Sequence, residues 1–261
     1  MENTCKTSPC LLCSRCCPPA WVFLVFAIFL LPAAVCGESE KDHSITTGAG
    51  LSISQGNSDQ STGDAYLTWQ KKAGKNIFRL DAEASYGEAS IEENGSSSKE
   101  TITDTGELGL NYKRKINISY GYTDASIFYD KVAEVDYRAR IVCGAGCYLL
   151  KTDRATANID AGAGYLWEEN AGKPEEYPLL RISQRYDQEV GTSAKVWQTF
   201  EYLMKADDVN RYMLNAETGV QAPMTAALNI RITLNNRYNS DPAEGIEKND
   251  LTLSASIAWK H

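Results

Sequence analysis

The chain has two histidines, His43 and His261, and a serine hydrolase needs an imidazole within hydrogen-bond reach of its nucleophile. His43 precedes the first strand-like run and His261 is the last residue, so neither belongs to a strand-end constellation and a barrel hydrolase is the least favoured reading. Cys10, Cys13, Cys16 and Cys17 have knuckle-like spacing, but they lack a second knuckle and lie upstream of an export signal. Cys36 closes the lipobox-like Ala33-Ala34-Val35-Cys36, where fatty acylation would follow cleavage, although valine fits poorly before an acylated cysteine. Cys143 and Cys147, on one strand, stand about 13 Å apart, too far for a disulfide. The carboxylates of Asp241, Glu244 and Glu247 could meet a divalent cation. A Ca²⁺ site, however, needs six to eight oxygen ligands, so a solvated loop is the simpler reading. With no phosphate loop, metal spacing or dinucleotide turn, no cofactor, metal or catalytic residue is expected, and the chain is not expected to be an enzyme.

One set of charged residues does recur with a regular period. Asp64, Arg79, Asp81, Glu83, Glu107, Arg138, Arg140, Asp160, Arg181, Arg185, Glu201, Glu217 and Arg231 sit at alternate positions of runs whose intervening residues are apolar. Such alternation places the two classes on opposite faces of a β-strand. Phe78, Leu80, Ala82, Ala84 and Tyr86 oppose Arg79, Asp81, Glu83 and Ser85. The same holds for Ala139 to Leu149, with Cys143 and Cys147 as small apolar-face residues, and for Ile159 to Trp167, opposite Asp160, Gly162 and Gly164. Leu228 to Tyr238 and Leu251 to Trp259 close the chain as a two-faced hairpin.

About twelve strands are expected and no stretch of helical period. The sequence predicts short turns at Lys71 to Lys75, Lys113 to Lys115, Lys151 to Arg154, Gly191 to Ser193 and Gln221 to Thr225. It predicts long polar connections at Glu88 to Lys99, Thr123 to Glu134, Glu168 to Tyr177, Lys205 to Asn210 and Asn239 to Asp250. Tight turns at one end and long loops at the other mark an all-β, antiparallel up-and-down transmembrane β-barrel, with both termini on the periplasmic side. Trp69, Tyr86, Tyr112, Tyr120, Tyr165, Trp167, Tyr186, Tyr202 and Trp259 are expected on the lipid side as an interfacial girdle.

Residues 1–37 read as a signal peptide: Lys6 and Arg15, then the apolar run Ala20 to Leu31, then small residues to Gly37. The run is too short to be a convincing membrane span. Residues 38–46 form a short lead and 47–261 the barrel. A net charge of −8 argues against a nucleic-acid partner, since phosphate neutralisation needs a basic surface. The charged inner face of a twelve-strand barrel nearly fills the lumen. It either closes the lumen by cross-lumen ion pairs or leaves a narrow channel for small polar solutes or ions. The other class of reading is a soluble or lipid-anchored β-domain with a small ligand in its barrel.

Several motifs carry a family resemblance: Gly56-Asn-Ser-Asp59, Asp136-Tyr-Arg138 leading into Gly144-Ala-Gly146, Gly162-Ala-Gly-Tyr165, and above all Arg237 to Asp250. That last stretch holds Asn239, Ser240, Asp241, Pro242, Gly245, Glu247, Lys248 and Asp250. From residue 48 onward the chain resembles the salt-induced outer membrane proteins, a domain-of-unknown-function family of Gram-negative bacteria. The resemblance implies an outer-membrane β-barrel with no established activity. It also implies contact with outer-membrane lipid and insertion by the barrel-assembly machinery. The aromatic residue that usually ends such barrels is replaced here by His261, with Trp259 two positions earlier.

Overall fold

The computed structural model describes residues 43–55, 61–93, 96–191 and 193–260. The signal segment, the leading cysteines, Cys36 and His261 lie outside them. The described residues form twelve strands: β1 (His43–Gln55), β2 (Ser61–Ala73), β3 (Asn76–Glu93), β4 (Ser96–Ile116), β5 (Ser119–Asp130), β6 (Val135–Lys151), β7 (Ala155–Asn170), β8 (Lys173–Val190), β9 (Ala194–Lys205), β10 (Asp208–Pro223), β11 (Leu228–Asn239) and β12 (Asn249–Lys260). Each pairs antiparallel with its sequence neighbours, and β1 also pairs with β12 from Thr46↔Lys260 to Gln55↔Leu251, so the sheet is a closed barrel. Closure gives every strand two hydrogen-bonded neighbours, the condition for crossing a bilayer with strands, and the tip of the β3–β4 hairpin extends past its neighbours.

The two-residue period sorts the faces. Outward positions expose Leu51 at 69%, together with Ile182, Phe200, Ile232, Leu234, Leu253 and Ile257. A water-soluble barrel would not present so continuous an apolar surface, whereas lipid matches it. Outward aromatic residues gather at two levels. Phe78 and Tyr112, with ring centroids 5.0 Å apart, stand with Trp259 towards the end that carries both termini. Tyr165 and Trp167 (4.9 Å) and Tyr202, Tyr212 and Tyr238 (5.5 and 5.8 Å between successive rings) stand towards the far end.

Three features of the sequence reading are corrected. Most of the long polar connections are strand: β3 runs to Glu93 and β4 starts at Ser96, β5 runs to Asp130, and β7 and β8 meet at a two-residue turn of Ala171 (φ 50°) and Gly172 (φ 70°). Positive φ at both central residues is the type I′ condition of a tight hairpin. Likewise β9 and β10 are joined by residues 206 and 207 alone. In β7 and β8 the backbone ladder continues beyond the apolar band without alternating side chains, so polarity does not end a strand there, whereas β5 keeps its alternation, with Ile127 and Tyr129 outward, up to Asp130. The β11–β12 connection, residues 240–248, stays long. Secondly, the turn expected at Lys113 to Lys115 falls instead at residues 117 and 118, where Asn117 takes a positive φ of 59°, and β1 takes in His43 to Thr46 of the expected lead. Thirdly, Tyr120 faces inward at 1% exposure. Its strand continues past Tyr122 and pairs Tyr120 with Gly146 on the inner face of β6.

Candidate functional site

The interior of the barrel is the chemically distinctive region. On β5 to β9 a line of charged side chains occupies successive strands at one level. Arg140 (β6) donates to Glu201 (β9) at 2.9 Å and to Ser126 (β5) at 2.9 Å, and lies 3.6 Å from Asp124 (β5). Arg181 (β8) binds Asp160 (β7) at 2.7 Å and Glu201 at 2.5 Å. Asn215 (β10) donates to Glu201 at 3.0 Å, and Asn111 (β4) to Asp124 at 3.1 Å. The two guanidiniums and three carboxylates thus follow the wall around the barrel rather than crossing it. In a partly desolvated interior this fixes side-chain geometry more surely than it adds stability.

The wall behind this network is built for close packing. Inward positions 144, 146, 162 and 164 are glycine, and Tyr120 and Tyr122 lie across them. A Cβ on Gly146 would stand 2.5 Å from the Tyr120 ring, and one on Gly162 2.6 Å from the Tyr122 hydroxyl. Tyr120 donates to Asp160 at 2.8 Å and to Asn158 at 3.1 Å, while Arg181 stacks over the Tyr122 ring at 5.3 Å. Val142, Leu166, Leu179, Leu203 and Met213 join these rings in one buried cluster. Further along, Glu168 accepts from Arg138 at 2.7 Å and from Tyr177 at 2.8 Å. The β5–β10 side of the interior is therefore filled.

The remainder holds two cavities. The larger, about 430 Å³, is lined by Arg79, Asp81, Arg138, Arg140, Asp160, Arg181, Arg185 and Glu201 among others. The smaller, about 160 Å³, lies against Asp64, Tyr66, Arg231 and Ser254. Between them Arg237 (β11) reaches Glu107 (β4) at 3.2 Å and stacks over Phe128 (β5) at 4.9 Å. β11 stands five strands from β4 through the β1–β12 seam, so this contact crosses the lumen as a strut. Arg231 is held between the rings of Tyr66 and Trp197, at 4.8 and 4.7 Å, and lies 3.7 Å from Glu217. Arg79 with Asp81 (2.7 Å) and Arg185 with Asp187 (2.6 Å) are pairs two residues apart on the same strand face. Glu83 lines both cavities.

The motif loop is not a solvated appendage. Pro242, Ala243, Ile246, Glu247 and Lys248 line the larger cavity, so the loop folds over the far mouth. Asn239 N–H bonds Lys248 O at 2.7 Å, Ser240 exchanges two bonds with the Tyr212 backbone at 2.8 and 3.0 Å, and Asp241 pairs with Arg211 at 2.8 Å. Gly245 takes a φ of 89°, which a residue with a Cβ rarely adopts. Asp250 lines both cavities. Among the described residues, no three His, Cys, Asp or Glu side chains form a group able to hold a metal ion.

Three participants escape the sequence reading. Tyr120 and Asp124 sit on β5, whose start and end were misplaced. Arg237 could have been found, because the two-residue period from Arg231 through Thr233 and Asn235 reaches it.

A family model described as a protein of unknown function, DUF481, matches residues 47–260. Among solved structures, the NanC porin is similar at a TM-score of 0.54 and 11% identity, over 82% of this chain and 98% of its own. The KdgM porin follows at 0.47 and 8% identity, over 82% and 98%. The translocator domain of the autotransporter NalP from Neisseria meningitidis stands at 0.47 and 10% identity, over 92% and 96%. No curated protein sequence matches. At such identities the likeness is one of fold: that of outer-membrane β-barrels.

Proposed function

The chain belongs to the family of proteins of unknown function designated DUF481, and from that premise we propose that it is an outer-membrane barrel whose lumen forms a narrow channel for small polar solutes or ions. The observation that carries this reading is the polar cavity of about 430 Å³. It extends from Lys113 and Arg185 in the half nearer the termini to the motif loop at the far mouth. A purely structural barrel has no need of such a space. The cavity suits ions and small hydrated molecules and is too constricted by the Arg237 strut for extended polymers. The reading includes export by the signal segment, insertion by the barrel-assembly machinery, and kinship with salt-induced outer membrane proteins through the Asn239 to Asp250 motif. It assigns no catalytic residue and no cofactor.

Ion conductance of the refolded barrel in planar bilayers tests it. The expected result is small, discrete channels in the wild type and larger ones in Arg237→Ala, where the strut is gone and the cavities merge. Electrically silent bilayers for both proteins, with the folded barrel verified by heat-dependent gel mobility, would refute the channel.

A further inference from the structure

Charge compensation inside the barrel is uneven. Each arginine along the lumen already has an acidic partner: Arg79 with Asp81, Arg138 with Glu168, Arg140 with Glu201, Arg181 with Asp160, Arg185 with Asp187, Arg231 with Glu217 and Arg237 with Glu107. The surplus is negative, and it is concentrated where the two cavities meet. The residues that border both include Glu83, Glu107, Asp130, Glu217 and Asp250 but a single cation, Arg237. That guanidinium is engaged by Glu107 at 3.2 Å, and Glu217 is held by Trp197 Nε1 at 2.5 Å and by Arg231. Glu83 stands directly opposite Glu107 in the β3–β4 ladder, a like-charge pair whose Cβ atoms lie about 5 Å apart. Among the described residues Glu83 has neither a hydrogen bond nor an ion pair. Its carboxylate therefore faces the passage with no cation in contact.

We propose that this junction makes the lumen selective for small cations, with Glu83 as the selectivity-determining residue. The inference rests on the channel reading and adds the class of solute. Like charges placed directly opposite one another cost stability, and a mobile cation between them relieves that cost. An anion reaching the same point meets Glu83, Asp130 and Glu217 together. The paired arginines on the opposite wall offer it little, because their charge is already spent on Asp124, Asp160 and Glu201.

The experiment is a reversal-potential measurement on the full barrel in a KCl gradient at low salt, where screening is weak. One carboxylate charge about 5 Å from a passing ion changes that ion's occupancy roughly fourfold in a water-like medium, and with opposite sign for K⁺ and Cl⁻. The wild type should therefore pass K⁺ about ten times more readily than Cl⁻, and Glu83→Gln should lose most of that preference while still conducting. Glu83→Lys should favour Cl⁻. A wild type that passes both ions equally, or Cl⁻ faster, overturns the inference and leaves the channel standing. So does a Glu83→Gln barrel with unchanged selectivity. A wild type with no conductance removes the channel and this inference with it. The wild-type measurement decides the matter even if neither variant assembles.

Discussion

Arg181→Ala should be the most damaging single change inside the barrel. The guanidinium is 11% exposed and contacts Asp160, 4% exposed, at 2.7 Å and Glu201, 14% exposed, at 2.5 Å. Removing one partner of such a buried pair strands the other and costs about 3–5 kcal/mol. Two remaining contacts soften the loss: Arg140 still holds Glu201 at 2.9 Å and Tyr120 still donates to Asp160 at 2.8 Å. The expected destabilisation is therefore about 3 kcal/mol, at the lower end of that range. Arg79→Ala is the matched control. Its pair with Asp81 is about a third exposed, so solvent screening should hold its cost below about 1 kcal/mol. Urea titration of refolded barrels in micelles, followed by tryptophan fluorescence, measures both. Asp160→Asn added to Arg181→Ala should recover part of the loss by removing the stranded charge. If Arg181→Ala cost no more than Arg79→Ala, the network would be solvated and the argument from desolvation would fail. Absence of any recovery would show that lost packing, rather than stranded charge, sets the penalty.

A methyl at position 164 would stand 1.9 Å from the Ile141 carbonyl oxygen and 2.8 Å from Val142 Cα. Gly164→Ala should therefore destabilise by about 1–3 kcal/mol, whereas Gly109→Ala, with nothing within 4 Å, should be close to neutral in the same titration. Arg211→Ala removes the pair that ties Asp241 to β10 at 2.8 Å. The loop over the far mouth should then loosen, giving larger or noisier single-channel currents with little change in unfolding midpoint. Deletion of residues 242–247 should mimic the effect, and identical currents in all three proteins would show that the loop does not obstruct the path.

Where one face of a strand meets an apolar medium and the other a polar one, the alternation of residue types specified the element. Phe78 to Tyr86, Ile159 to Trp167 and the closing hairpin are such strands. Where the ladder leaves the apolar band, as in Glu168 to Tyr177, both faces are polar and composition no longer distinguishes strand from loop; Thr123 to Asp130 still alternates, with Ile127 and Tyr129 outward, but its polar residues mask the period. Asp124 belongs to that masked period, on the inner face with Ser126, Phe128 and Asp130. Tyr120 shows a different failure: an aromatic side chain suits both a lipid interface and a packed interior. Its true neighbours, Gly146 and Asp160, lie on strands far away in sequence. Contacts across the lumen, such as Arg237 with Glu107, have no local signature at all, since they depend on the curvature of the closed sheet.

The seam between β1 and β12 has a consequence for how the molecule comes into being. Its partners, such as Thr47 and Trp259, are separated by about two hundred residues, and joining ends so far apart costs about 5 kcal/mol in chain entropy. Ten paired positions must form nearly together to recover it, since a half-zipped seam would leave open backbone groups in lipid. The eleven hairpin pairings between are local and can form first. Closure is thus the last and slowest event of folding, and an intermediate with all hairpins made but its two rims still apart is the species a membrane insertase would have to hold.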